Sequence, residues 1–161
     1  MPVFLSKEQI EREGEKIEKF RPRLFVEKYM AMVKPFPCVR DVFLRLRADN
    51  RKIALASSAK GDELETYKRI AGVEDLLDEE TSSGDANRSK PDPDLAILRG
   101  QVLVIGDSPF DAEAAGKAGL RTIGVLSGGF TEEQLRDAGC VEIYRGAEDL
   151  LNEYDRSALA S

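Results

Sequence analysis

The 161 residues carry a net charge of −6, 42% apolar and 34% charged side chains and no histidine, a composition typical of a soluble globular protein with one good hydrophobic core. No apolar run approaches the roughly 18 residues a membrane span needs, and Met1 to Arg12 turns charged too early for a secretory leader, so neither a membrane span nor export is expected and a cytoplasmic location is. Cys38 and Cys140 lack a CxxC spacing and any histidine partner, which removes zinc and Cys-His chemistry and leaves two buried thiols as the plain reading.

Charge is uneven along the chain: residues 1–60 sum to +6 and residues 61–161 to −12. Glu11, Glu13, Glu15 and Glu18 interrupt the basic half throughout, so a solvated helix face is expected there and no nucleic-acid partner. Ser6 with Gln9 forms a capping box, and Ile10, Ile17 and Phe20 recur at helical spacing, which predicts a helix over about 7–20. Pro22 should end or kink it, with Leu24, Phe25, Tyr29, Met32 and Val33 forming a second helical piece. Lys34-Pro35-Phe36-Pro37 is a stiff linker, and it sets a boundary between residues 1–34 and residues 35–155, with a frayed tail over 156–161.

Beyond the linker, Val39, Val42, Phe43 and Leu46 share a helical face, and Asp49-Asn50 turns into the apolar strand 52–56. Leu64 to Ala71 is helical up to Gly72, and a short extended stretch near Leu76-Leu77 precedes a polar loop from Thr81 to Ser89. Strands follow at 102–105, 122–125 and 141–144, and helices at 112–118, around Leu135, and at 147–154. Such alternation predicts an α/β fold, a doubly wound parallel sheet with helices on both faces and ligands beyond the C-terminal strand ends.

Three constellations stand at those ends. Ser57-Ser58-Ala59-Lys60 follows the first strand, where hydroxyls and free N–H groups can cradle an oxyanion, although a helix cap explains the same residues. Ser89-Lys90-Pro91-Asp92-Pro93-Asp94 fixes an ammonium beside prolines, suited to a phosphate or a carboxylate pair, or simply a surface lysine in a rigid turn. Gly106-Asp107-Ser108-Pro109-Phe110-Asp111 places one carboxylate at a strand tip and a second four residues on, a donor pair that fits Mg²⁺, while capping of the next helix accounts for only one of the two.

Together, from Pro35 to about Leu151, these motifs resemble the haloacid-dehalogenase-like phosphohydrolases, in particular the phosphoglycolate phosphatase and β-phosphoglucomutase type with a helical cap. The resemblance implies that Ser57, with Ser58 beside it, and Lys90 bind the phosphoryl group, Lys90 also steadying the nucleophile. It further implies that Asp107 binds Mg²⁺ directly and that Asp111 supports it. It makes residues 1–34 a cap remnant and the substrate a small phosphorylated metabolite or phosphate.

The family's first motif, Asp-x-Asp-x-Thr after an apolar strand, does not occur here; the only Asp-x-Asp is Asp92-Pro93-Asp94, already in the lysine motif. The expectation is therefore an incomplete sheet with a gap between strands 52–56 and 102–106, Mg²⁺ binding weakened or lost, and little or no turnover by this chain, since neither the nucleophile nor the general acid is supplied. The alternatives are a non-catalytic phosphate-binding or protein-interaction module, or a truncated fragment. Unpaired central strand edges and the uncovered face of Ile10, Ile17, Phe20 and Leu24 predict self-association, unless the two strands pair directly or residues 2–5 or another chain fill the gap. Two smaller departures are the ten residues between Pro91 and Val102, room for a crossover helix of only about two turns, and Cys38 where the family often has glycine.

Overall fold

The structure, a computed structural model, describes residues 6–57, 59, 61–81 and 102–160. The chain divides into two units, residues 1–34 and 35–161. No helix among the described residues is long and apolar enough to cross a membrane.

In the first unit helix α1 runs from Lys7 to Lys28 and a 3-10 turn follows at Met30–Met32. Its start is the expected capping box: the Gln9 amide donates to Ser6 Oγ at 3.3 Å, and the Ser6 amide donates to Gln9 Oε1 at 2.9 Å. Pro22 does not end the helix, one of the two outcomes the sequence suggests. A proline forfeits one ladder hydrogen bond, but the capped turns before it and the Tyr29 amide bonded to the Phe25 carbonyl at 2.8 Å keep helix on both sides. Along the apolar stripe, Ile10, Ile17 and Leu24 are half-buried and Phe20 is 63% exposed.

The second unit opens on Cys38, at φ 60, in the left-handed region that favours glycine, which is the physical content of the glycine-to-cysteine departure at this turn. Cys38 is only half-buried, so of the two thiols expected to be buried Cys140 alone is. Helix α2 (Val39–Ala48) buries Val42 and Leu46, and Asn50 at φ 57 makes the turn into strand β1 (Ala54–Ala56). Helix α3 (Gly61–Ala71) stops at Gly72, φ 65, and a 3-10 turn at Glu74–Leu76 leads to β2 (Glu79–Thr81). The second strand therefore starts later than Leu76-Leu77 suggests, because those residues turn the chain first.

The Asp78 carboxylate ties the start of both strands to α2: Oδ2 accepts the Ile53 amide at 2.8 Å and Arg47 Nη1 at 2.6 Å. Arg40 makes a bidentate pair with Asp75 at 2.7 and 2.8 Å and also donates to the Gly72 carbonyl. That fork holds the Asp75 carboxyl down at about 2, against an ordinary 3.8. A depressed carboxyl stabilises the fold fully above its unfolded value and ceases to do so as pH falls through its folded value. Acid titration of Asp75→Asn followed by circular dichroism should therefore lose stability less steeply between about pH 4 and 2 than the parent chain; identical slopes would contradict a role for the pair.

After residue 101 the chain forms β3 (Leu103–Gly106), α4 (Pro109–Lys117), β4 (Arg121–Val125), α5 (Glu132–Asp137), β5 (Cys140–Tyr144) and α6 (Ala147–Asn152). Gly119 and Gly139, at φ 74 and 102, close α4 and α5 as their positions in the sequence suggest. Every strand pairing is parallel, giving an α/β fold with a parallel sheet core. The crossover between Pro91 and Val102 lies outside the described residues.

That sheet is not continuous. The strand order is β1-β2 in one piece and β3-β4-β5 in the other, so β1 and β3 do not pair. Between them lies a cavity of about 620 Å³, lined on its two sides by Ala54, Leu55 and Ala56 and by Leu103, Val104 and Ile105. Direct pairing of these two strands, one of the outcomes the sequence allows, is therefore not what the structure has.

Beneath the sheet the core gathers Val42, Leu46, Ile53, Ile123, Leu150, Tyr154, Ala158 and Leu159. The Arg45 guanidinium lies 4.8 Å above the Tyr154 ring. The tail expected to fray instead packs: Ser157, Ala158 and Leu159 are buried, the Ala158 amide donates to the Glu142 carboxylate at 3.1 Å, and Arg51 Nη2 donates to the Leu159 carbonyl at 3.2 Å. Two apolar side chains and satisfied backbone groups outweigh the chain-end entropy.

Candidate phosphate and metal site

Among the described candidate groups, Ser57 and Asp107 each stand directly after a strand. Ser57 follows β1 directly and is half-buried; its Oγ accepts the Ala59 amide at 3.1 Å, a local turn that leaves the hydroxyl proton available for donation. Ser58 and Lys90 lie outside the described residues.

Asp107 and Asp111 play different parts. Ser108 caps α4, with Pro109 at the first helical position, and Asp111 closes the capping box: its Oδ2 accepts from the Ser108 amide at 3.1 Å and from Ser108 Oγ at 2.8 Å. Helix capping thus accounts for Asp111. It does not account for Asp107, which is exposed at the tip of β3 with no hydrogen-bond or ion-pair partner among the described residues.

Two glycines make this arrangement possible. A Cβ on Gly106 would stand 2.5 Å from Asp111 Cβ, so glycine is what lets α4 turn back close over the strand end. A Cβ on Gly128 would overlap the Asp107 carbonyl oxygen and come within 2.8 Å of its Cγ. Gly128 belongs to the Leu126–Gly128 turn after β4, and the sequence reading missed it; the signal was the Ser127-Gly128-Gly129 run just past a strand end. Phe110, 69% exposed beside Asp107 in sequence, meets Phe130 edge to face at 6.4 Å and forms an apolar lip on this face.

Among the described residues no group of three or more His, Cys, Asp or Glu side chains could enclose a metal ion. The donors present are hard carboxylate oxygens on Asp107 and Asp111. That set fits Mg²⁺, which keeps several waters and binds through one or two carboxylates plus substrate phosphate rather than an all-protein cage. It does not fit a softer metal. Burial, and then the nearby Asp111 charge, push the Cys140 thiol upward, so the sulfur behind this site is an inert packing group.

Substituting Gly128→Ala should displace Asp107 and weaken Mg²⁺ binding by about tenfold or more, whereas Gly129→Ala, whose added Cβ meets nothing within 4 Å, should leave it nearly unchanged. Mg²⁺ titrations of both variants check this, and equal affinities would contradict a positioning role for Gly128.

Ser57 and Asp107 stand just past the C-terminal ends of β1 and β3, the edge at which open parallel α/β sheets bind their ligands. Residues 3–125 match the haloacid dehalogenase-like hydrolase model, and the chain belongs to that family. It is 28% identical, over 94% of its own length and 74% of the relative's, to the phosphorylated carbohydrates phosphatase of Thermotoga maritima. Among solved structures it is similar to a hydrolase from Pseudomonas syringae, with a TM-score of 0.71 and 28% identity over 98% of this chain and 74% of that one. A haloacid dehalogenase-like protein from Streptococcus pneumoniae shares the fold, with a TM-score of 0.70 over 95% and 73% of the two chains. The chain thus spans about three quarters of these relatives.

Proposed function

We propose that residues 35–160 are the metal- and phosphate-holding portion of a phosphomonoester hydrolase site, and that this chain by itself binds a small phosphorylated metabolite without turning it over. The observation that carries the second half is the cavity between β1 and β3, which do not pair with each other among the described residues, together with a sequence in which no Asp-x-Asp directly follows an apolar run. The phosphorylated-carbohydrate activity in the name of the Thermotoga relative favours a sugar phosphate as the ester.

Within this reading each residue has a defined task. Ser57, its Oγ already accepting the Ala59 amide, donates its proton to a phosphoryl oxygen. Lys90, followed by Pro91 in the sequence, neutralises a second phosphoryl oxygen. Asp107 offers the direct carboxylate for Mg²⁺, and Asp111, fastened to Ser108, sets the position of α4 and the charge behind it. Mg²⁺, when bound, supplies charge neutralisation to the phosphate. Displacement at phosphorus still requires a nucleophile in line with the leaving oxygen and an acid to protonate it, and this reading assigns neither part to any of the residues named above.

The test is a phosphate-release assay of the purified 161-residue chain with sugar phosphates and added Mg²⁺. Release at background supports the proposal, because removing a catalytic nucleophile costs about 10⁴-fold or more. Turnover near the ordinary enzymatic range of about 1 to 10³ per second would overturn it.

A further inference from the structure

We propose that Phe110 is a specificity-determining residue, whose ring stacks on the apolar C–H face of a cyclic sugar phosphate held by its phosphoryl group at Asp107. The inference rests on the phosphate reading above and deepens it, since it concerns the part of the ester that lies beyond the phosphoryl group.

Phe110 is 69% exposed, the highest value of any large apolar side chain among the described residues. A lone exposed apolar residue is ordinary on a protein surface. This one is neither lone nor far from the candidate site. It is the second residue of α4 and follows Asp107 by three positions, a span of at most about 11 Å of chain. Side chains on a helix tilt toward its N-terminus, so from this position the ring leans back over the helix start. That is the end where Ser108 and Asp111 form the capping box directly after Asp107.

Phe130 approaches from the other side. It follows the Leu126–Gly128 turn, which lies so close to the Asp107 carbonyl that Gly128 has no room for a Cβ. It also packs against the buried cluster of Ala112, Leu135 and Cys140, which makes it a fixed pedestal. Phe110 meets it with centroids 6.4 Å apart and planes at 87°. One edge-to-face contact covers at most one face of the Phe110 ring, so the other stays open beside the carboxylate assigned to Mg²⁺.

An open phenyl face is flat, apolar and electron-rich. One face of a pyranose ring offers C–H groups that are flat, apolar and weakly positive, with the hydroxyls directed outward around its rim. The two rings can therefore stack without taking a hydroxyl out of water. A linear ester such as glycerol phosphate has no such face, and it would lose more rotational freedom in making an equal contact.

The test is calorimetric titration of the full chain, with Mg²⁺ present, by inorganic phosphate, glycerol phosphate and α-glucosyl phosphate. Phe110→Ala should weaken α-glucosyl phosphate by about three- to tenfold, the usual worth of one aromatic contact, and leave inorganic phosphate unchanged. Phe110→Tyr keeps the ring and should hold the parent affinity. Phe110→Leu keeps apolar bulk without a flat face and should fall with alanine. Because the side chain is exposed, thermal melts of all three variants should match the parent. Equal affinity of parent and Phe110→Ala for α-glucosyl phosphate overturns the proposal, as does an equal loss for glycerol phosphate or for inorganic phosphate. If a second copy covers the ring instead, Phe110→Ala will lower the mass seen by light scattering and leave the ester titrations unchanged, which overturns it too. A parent chain that binds none of the three ligands would sink the phosphate reading and this inference with it, whereas phosphate binding without dependence on Phe110 sinks this inference alone.

Discussion

Replacing Asp107 with Asn is expected to lower Mg²⁺ affinity by about 100-fold or more and to abolish Mg²⁺-dependent binding of a phosphoester, with no loss of fold. Asparagine keeps the volume and one carbonyl oxygen but removes the charge that a hard divalent ion requires, and even groups that only support metal ligands cost about 10 to 100-fold when changed. Stability should barely move, because Asp107 is exposed and no described protein group depends on it. Asp111→Asn should behave differently. Its carboxylate completes the capping box with Ser108, so it should lose about 1 kcal/mol of stability along with a smaller share of metal affinity. Calorimetric titration and thermal melts of the two variants separate these roles, and interchanged results would contradict the assignment of Asp107 as the direct ligand.

The largest stability effect is expected at Ile123. This residue is fully buried in β4 and packs among Leu46, Ile53, Leu150 and Tyr154, so Ile123→Ala removes three carbons where the surroundings cannot collapse. Such truncations cost about 2 to 5 kcal/mol. A domain holds only about 5 to 15 kcal/mol in total, so such a loss is a large share of it. Urea unfolding should move to a much lower midpoint with little change in slope. A loss below about 1 kcal/mol would contradict the placement of Ile123 at the centre of the core.

Much of this was legible in residue order. Asp49-Asn50, Gly72, Gly119 and Gly139 mark turns and helix ends because only certain residues accept a positive φ, a constraint that acts locally. The order of Ser57, Asp107 and Asp111 after apolar strands located the candidate site for the same reason: strand ends deliver their side chains to one edge of a parallel sheet. What was not legible depends on distant partners. Whether Pro22 ends a helix is decided by the capped turns around it, and whether residues 157–159 fray is decided by Glu142 and Arg51, far away in sequence. Gly128 escaped notice because its meaning lies in the nearness of the Asp107 carbonyl, which no spacing within one loop reveals.

Phosphorus-31 NMR of a sugar phosphate mixed with the chain tests the central claim most directly, since one spectrum reports binding and turnover together. The account predicts that the ester resonance broadens on adding the chain only when Mg²⁺ is present, that Asp107→Asn removes the broadening, and that no inorganic phosphate signal grows above background. Steady growth of that signal, or an ester line untouched by chain and Mg²⁺ together, would contradict it.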